Sequence, residues 1–380
     1  MRINVVGLDI GSTAVRGVEL SATGKTKLNL LRFHEIPLPP GAVSRGEVVK
    51  PEIVAFALKK LWSEGGFKSK NVVLGTGNQR VLVRDLSVPK ISLKRIRESL
   101  PFQVQSTLQI PVEDSLLDFY PVSESMGEQG PMVNGLLIVA EKSEILSNIR
   151  AVERAGLTPV EVDLIPFALN RLLLHRPGVK GTVALIDVGG NTTSIIIASD
   201  GVPWFVRIIP TGGDDLTQAL AAGLEINTKE AEEFKRTLKL GTDLTIAEDS
   251  GSKISQCVCG KCLVELAIVN NSRATGILQT AHAREILQTV TGELLGSLRS
   301  TVSYFNNTRP QDPVCQILIT GGGAQLTGFA QALSEVTYIP VTEADPFAMV
   351  TLARRLKAKK LKESHLSISV ALGLALRSLS

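Results

Sequence analysis

Two Asp-Gly turns constrain this chain more than any other feature. Asp9 to Thr13 reads DIGST and Asp187 to Thr192 reads DVGGNT. Each follows an apolar run, Val5-Val6-Gly7-Leu8 in the first case and Val183-Ala184-Leu185-Ile186 in the second, and a second strand-like stretch comes after each turn. One such turn is an ordinary hairpin. Two of them, far apart and each opening a similar three-strand run, point to a duplicated domain whose two loops face one anion. Glycine lets backbone approach a ligand closely and aim its N–H groups at phosphate oxygens. Gly11, Ser12 and Thr13, and Gly189, Gly190, Asn191, Thr192 and Thr193, are therefore candidate phosphate contacts. Asp9 and Asp187, at the strand ends, are candidates to hold Mg²⁺ through water, because that ion takes one or two carboxylates plus phosphates. Arg16 adds positive charge.

Two further elements join the set. Ile317 to Thr320 is an apolar strand that runs into Gly321-Gly322-Gly323 and a helix start, a turn on which a nucleoside can lie flat while the helix start favours negative charge; Leu326 follows it. Gly212, Gly213 and Asp214 open another helix. On the next helix Glu232 and Lys235 stand three residues apart on one face. They are spaced to hydrogen-bond a ribose and an adenine, or else to form a surface ion pair. No GxxxxGK[ST] occurs, which excludes a P-loop protein. His34, His175, His282 and His365 have no catalytic neighbours in the sequence.

The pattern of elements repeats. Residues 3–37 read as three strands, and strands at 182–187, 192–199 and 202–210 repeat that meander, Ser199-Asp200-Gly201 supplying the matching turn. Between them, 90–157 reads as a compact α/β block: a helix from Ser92, a strand at 116–122, a polar loop at 123–131, a strand at 135–140 and a helix from Lys142 ended by Gly156. Strand meanders followed by helices, twice over, favour an α/β protein of two similar lobes. The last segment, 368–379, reads as an amphipathic apolar helix.

Length and composition agree. At 380 residues the chain is long enough for two or three domains. Its hydrophobic fraction of 44% with 21% charged residues is that of a folded protein. A net charge of +4 and only 4% aromatic residues argue against nucleic acid as a partner. No stretch approaches the ~20 apolar residues needed to cross a bilayer, and Met1 to Asn4 run directly into a strand with no signal peptide, so a cytoplasmic protein with reduced thiols is expected.

Taken together, the motifs resemble the actin and DnaK-type ATPase superfamily, a ribonuclease H-like duplicated, two-lobed fold. Within it the chain most resembles the PilM proteins of type IV pilus assembly, relatives of the division protein FtsA. GLDIGSTAVRGVEL (7–20), DVGGNTTSIII (187–197), GGDDLTQALAAGLEINTKEAEEFK (212–235), LITGGGAQLTGF (318–329) and VALGLALR (370–377) carry that likeness. The resemblance implies a first lobe of 1–88 completed by 158–178 and 364–380, an FtsA/PilM-type inserted subdomain at 89–157, a second lobe of 179–226 and 310–350, and a helical insertion at 227–309. It implies ATP and Mg²⁺ in the interlobe cleft. It also implies that the N-terminal cytoplasmic peptide of PilN, a single-pass membrane protein, docks near the inserted subdomain and recruits the chain to the inner face of the membrane, in service of pilus or secretion machinery. A homo-oligomer is compatible with it. FtsA continues into a membrane-binding helix, whereas this chain stops at Ser380, which weighs toward PilM. An FtsA-like division protein and a small-molecule kinase of the same superfamily stand as alternatives.

Five points depart from the family pattern or lie beyond it. Arg16 stands where relatives often have Lys. Asp163 is the candidate to position water for hydrolysis, with Glu161 nearby, and no convincing base accompanies them, so turnover is expected to be slow or absent. Cys257, Cys259 and Cys262 supply three of the four ligands that Zn²⁺ takes. His282 or a second chain would be the fourth; reduced thiols are the other reading. Cys315 is expected in the core, and the basic run 354–362 is a solvated loop or a lipid-facing one.

Overall fold

The computed structural model describes residues 5–23, 27–106, 108, 110–128, 130–240, 271–353 and 364–377. Cys257, Cys259, Cys262 and the basic run 354–362 lie outside them. In the first lobe, β1 (Val6–Ile10), β2 (Ala14–Thr23) and β3 (Lys27–Pro37) form an antiparallel meander. A short hairpin of β4 (Val43–Ser44) and β5 (Glu47–Val48) leads into α1 (Pro51–Gly65). Pro51 opens this helix where its missing N–H costs nothing, and Gly66 closes it at a φ of 63°. β6 (Asn71–Thr76) pairs parallel with β1, and β10 (Thr158–Leu164) parallel with β6. With β16 (Val350–Leu352) added outside β3, the strand order is β10-β6-β1-β2-β3-β16.

The second lobe repeats this plan. β11 (Thr182–Val188), β12 (Thr193–Ser199) and β13 (Val202–Ile209) form the meander; β14 (Gln316–Thr320) and β15 (Val341–Glu343) add in parallel, giving β13-β12-β11-β14-β15. Five strands of each sheet thus match one for one. In both lobes the parallel strands end on one edge, where ligands of open α/β sheets bind.

Two helices lie between the sheets, α4 (Ile165–Leu173) and α9 (Ser369–Leu376). One apolar core unites them with both lobes: Val18 and Leu20 from the first sheet, Leu185 and Ile196 from the second, Leu169 and Leu172 from α4, Leu372 and Leu374 from α9. Every residue of α9 is buried. The amphipathic reading of this segment is thereby corrected: a helix flanked by apolar layers on all sides has no polar face to show. Gly373 is small because a β-carbon there would meet the backbone of Ala168 on α4.

The inserted unit is a three-stranded sheet, β7 (Leu82–Pro89), β9 (Gly130–Glu141) and β8 (Ser115–Gly127) in the order β7-β9-β8, covered by α2 (Leu93–Val104). Ile96, Leu100, Phe119, Val133 and Leu137 fill its core. Its bounds differ from the 89–157 expected. β7 belongs to it, while α3 (Lys142–Arg154) packs Ala151 and Val152 into the core of the first lobe with Leu58 and Leu61 of α1. The polar stretch 123–131, expected as a loop, mostly extends the β8–β9 hairpin. Its side chains pair across strands, Asn134 Nδ2 donating to Ser125 Oγ at 3.0 Å, and the ladder itself is made by backbone.

In the second lobe α5 (Gly213–Gly223), α6 (Thr228–Thr237), α7 (Asn271–Thr308) and α8 (Phe329–Thr337) cover one face of the sheet. Leu287, Leu294, Leu298, Val302 and Phe305 of α7 sit in the lobe's own core, so the described part of 227–309 is integral to the lobe rather than appended to it. Cys315, expected in the core, is exposed just before β14, its Sγ–H directed at the Thr182 carbonyl at 3.2 Å.

Candidate functional site: two facing hairpins

The turns after β1 and β11 have the same backbone. Gly11 N–H donates to the Ala14 carbonyl at 3.0 Å, and Gly189 N–H donates to the Thr192 carbonyl at 2.9 Å. In each case the glycine follows the aspartate by two residues and the acceptor follows it by five. Across the hairpins Asp9 pairs with Arg16 and Asp187 with Ser194. The duplication read from the sequence therefore extends to individual hydrogen bonds.

The two crests meet across the cleft. Ser12 Oγ donates to Asp214 Oδ2 at 2.9 Å, and Asn191 Nδ2 donates to the same oxygen at 2.9 Å. Gly190 has no room for a β-carbon, which would collide with Ser12 Oγ and Asp214. The carboxylates of Asp9 and Asp187 feel each other's charge. Burial and then Asp9 push the Asp187 carboxyl up to about 7, with Arg16 pulling it back only in part. Asp9 is also raised by burial, but Arg16 opposes the rise, its Nη1 lying 3.3 Å from Asp9 Oδ2. The Nε of Arg16 pairs with Glu35 at 2.9 Å. Asp187 has no ion-pair partner among the described residues; part of it stays open to the cleft although the group sits deep in the molecule.

Behind the second hairpin the other candidate residues close up. Gly213 N–H and Asp214 N–H donate to the carbonyls of Gly189 and Gly190 at 2.9 and 2.7 Å, so the start of α5 is stitched to the loop. Asp215 Oδ2 accepts from Gly212 N–H at 2.7 Å and caps that helix. The bare α-carbon of Gly212 allows this approach, since a β-carbon there would collide with the Gly189 and Gly190 backbone. Gly321, at a φ of 92°, turns β14 into a short 3₁₀ turn (Gly322–Gln325) directly against Asp187 and Val188; both the positive φ and the contact require glycine. Gly323 abuts Val188 and Gly189, and Leu326 packs below on the lobe's core. Glu232 and Lys235 form the ion pair allowed by their spacing, at 2.6 Å, and Lys235 Nζ also donates to the Gly213 carbonyl at 2.9 Å and to Thr217 Oγ1 at 2.7 Å. Burial pushes Glu232 up, yet the hydrogen bonds from Lys235 and Thr217 outweigh it and leave the carboxyl lowered. Asp214 is raised by burial against the pull of Ser12 and Lys235.

Some candidates stand apart from this surface. Thr193 is buried, its hydroxyl spent on the Thr211 carbonyl at 2.7 Å. Thr13 is exposed at the first crest, and Thr192 contributes its carbonyl to the turn. Asp163 lies at the end of β10, two strands from Asp9, and is held by Arg171 Nη2 at 2.9 Å; it does not join the loop cluster. His282 is exposed on α7, 3.9 Å from Glu285. Glu35 had no signal in the sequence: it reaches the site because β3 pairs with β2 in a register that sets it beside Arg16.

The cluster offers hard oxygen donors, an uncompensated buried carboxylate next to a second one, and glycine backbone on three sides. Such a set suits a divalent cation held by few protein ligands together with a polyanion. It is a pair of carboxylates rather than a closed cage: among the described residues no group of three or more His, Cys, Asp and Glu is arranged to hold a metal.

The fold and the paired hairpins define an actin-like two-lobed protein. A model of the family described as Type IV pilus assembly protein PilM matches residues 7–247 and 251–379, and the chain belongs to that family. The structure of a PilM-PilN type IV pilus biogenesis complex superposes over the full length of both chains with a TM-score of 0.78 at 25% identity. FtsA, the cell division protein of Bacillus subtilis (strain 168), is 22% identical over 365 residues, covering 90% of this chain and 78% of its own. MreB 5 of Spiroplasma citri, solved bound to AMPPNP, shares the fold with a TM-score of 0.50 at 13% identity, covering 98% of this chain and 95% of its own. No helix among the described residues is long and apolar enough to cross a membrane.

Proposed function

We propose that this chain is an ATP- and Mg²⁺-binding cytoplasmic adaptor of type IV pilus or related secretion assembly, recruited to the inner face of the membrane by the N-terminal peptide of a PilN-like single-pass protein. The observation that carries the nucleotide reading is the pair of facing glycine crests with Asp9 and Asp187 beneath them, Asp187 having no ion-pair partner among the described residues. Asp9 and Asp187 would hold Mg²⁺ through water, and the bound ion would neutralise them together with phosphate charge. The crests at Gly11 to Thr13 and Gly189 to Thr192 would receive the phosphates. Gly321, Gly322, Gly323, Leu326, Glu232 and Lys235 would face the nucleoside. Ser12 and Asn191 share Asp214 as acceptor, so a phosphate would compete with Asp214 for their donors. That competition couples ligand binding to the contact between lobes, which is how nucleotide could favour one closure state over another. Turnover is at most slow in this reading, since Asp163 is neutralised by Arg171.

For the peptide, the inserted unit offers a recess of ≈ 260 Å³ between α2 and the β8–β9 hairpin, lined by Ile91, Leu93, Ile96, Val122 and Val133. Apolar side chains of a PilN-like peptide would pack there, as the likeness to a PilM-PilN complex supports. The test is fluorescence anisotropy with a labelled N-terminal peptide of the PilN-like protein. Capture by the full chain and weakening of about tenfold in Ile91→Glu/Leu93→Glu are expected. No binding by the parent chain rejects the adaptor reading; binding that the double variant leaves unchanged moves the peptide elsewhere.

A further inference from the structure

One cation at the cleft is not absorbed by the cluster described above. The register of the β4–β5 hairpin, Val43 with Val48 and Ser44 with Glu47, leaves Arg45 and Gly46 as a two-residue turn. Both have positive φ, 49° and 85°, the mirror-image turn that favours Asn, Asp or Gly at its first position because a β-carbon disfavours that conformation. An exposed arginine at that position runs against local preference. A side chain kept in a disfavoured backbone conformation points to a role outside the turn.

The hairpin is braced, so its tip is held in place. Ser147 Oγ donates to the Val48 carbonyl at 2.8 Å, and Val48 N–H donates to Asn148 Oδ1 at 3.2 Å. Glu47 pairs with Arg80 at 3.5 Å, and Gly46 lies so close on Asn78 that a β-carbon would not fit. The tip crosses to the other lobe: Arg45 N–H donates to Asn191 Oδ1 on the second crest at 3.3 Å. Its guanidinium meets only a neutral acceptor at long range, Nη1 to Gln79 Oε1 at 3.4 Å. Arg16 is committed to Asp9 and Glu35, and Lys235 to Glu232. Among the described residues around the two crests, Arg45 is the cation with no carboxylate partner.

We propose that Arg45 is the residue by which the first lobe contacts the terminal phosphate of a nucleoside triphosphate, and so distinguishes triphosphate from diphosphate. The idea rests on the nucleotide reading above and deepens it. Gly321, Gly323 and Lys235 crowd the side of the second hairpin toward β14 and α5. Arg45 meets the same hairpin at Asn191, from the other lobe, where the far end of a phosphate chain would emerge. Its planar fork suits phosphate oxygens, and a contact made from one lobe to a group cradled by the other exists only while the lobes are together.

The experiment is calorimetry on the full chain with Mg²⁺-ATP and Mg²⁺-ADP, comparing the parent with Arg45→Asn and Arg45→Lys. Asparagine fits the turn better than arginine, so Arg45→Asn should melt no lower than the parent. It should still lose about tenfold in ATP affinity while ADP affinity stays within about twofold. Arg45→Lys should fall between, keeping the charge without the fork. Unchanged ATP affinity in Arg45→Asn, or equal losses for both nucleotides, overturns the role of Arg45 and leaves the nucleotide reading standing. A parent chain that binds neither nucleotide overturns both.

Discussion

The two hairpins share a backbone and differ in charge. Across the first sheet, at the level of the catch between crest and strand, the row reads Asp9, Arg16, Glu35; across the second, in equivalent register, it reads Asp187, Ser194, Ile208. The first lobe thus compensates its own carboxylate. The second leaves its carboxylate without a counter-ion among the described residues, and burial next to Asp9 drives it to about 7. Duplication preserved the geometry that aims backbone at an anion, while divergence at one facing position decided which lobe must obtain positive charge from a ligand.

The largest expected effect comes from removing the compensation. Arg16→Ala leaves Asp9, Glu35 and Asp187 close together with no cation between them, and breaking a buried ion pair costs about 3 kcal/mol. The equivalent change in the other lobe, Ser194→Ala, should stay within about 1 kcal/mol. Urea unfolding of the two variants measures the contrast, and equal losses would remove it.

A second prediction concerns pH. Because the folded protein holds the Asp187 proton more tightly than the unfolded chain, this group stabilises the fold at acid pH. That contribution is lost as pH rises from about 4 through about 7. Asp187→Asn should therefore raise the melting temperature at pH 8 relative to the parent and flatten the fall between pH 5 and 8. The same variant should lose about a hundredfold in Mg²⁺-nucleotide affinity, since a neutral amide is a poor ligand for a hard cation. Asp9 is raised in the same direction by burial, so Asp9→Asn should shift stability the same way; because it also strips Arg16 of one partner, its gain should be the smaller, and an equal gain would remove the asymmetry between the lobes.

The smallest effect probes the bond between crests. Ser12→Ala deletes one donor to Asp214, and a neutral-to-charged hydrogen bond of this kind contributes about 1.5 kcal/mol. Asn191 still satisfies the same oxygen. Hydrogen exchange at Gly11 to Thr13 and at Gly189 to Asn191 should rise together if the bond couples the lobes; a rise confined to the first crest would show that it does not.

Much of this is legible in the sequence. The Asp-x-Gly repeat, the triple glycine and the Glu232–Lys235 spacing located the cluster because turn chemistry and helix periodicity are local properties. What was not legible depended on partners far away in the chain. Glu35 and Arg45 carried no motif; one reaches the site through sheet register and the other through a crossing to Asn191. Asp163 looked available and is held by Arg171, eight residues on. The bounds of the insert are not legible locally either. β7 continues smoothly from the first lobe in sequence, and the apolar stripe of α3 does not say which core it enters.

The amino-acid sequence by itself determined the duplicated architecture and the family, and it marked most of the loop residues proposed for the site, because each rests on short-range patterns of glycine, aspartate and apolar side chains. Only the tertiary structure decided which of two equivalent aspartates is compensated. That difference arises from cross-strand and cross-lobe neighbours, whose electrostatic influence depends on distance and burial rather than on position along the chain.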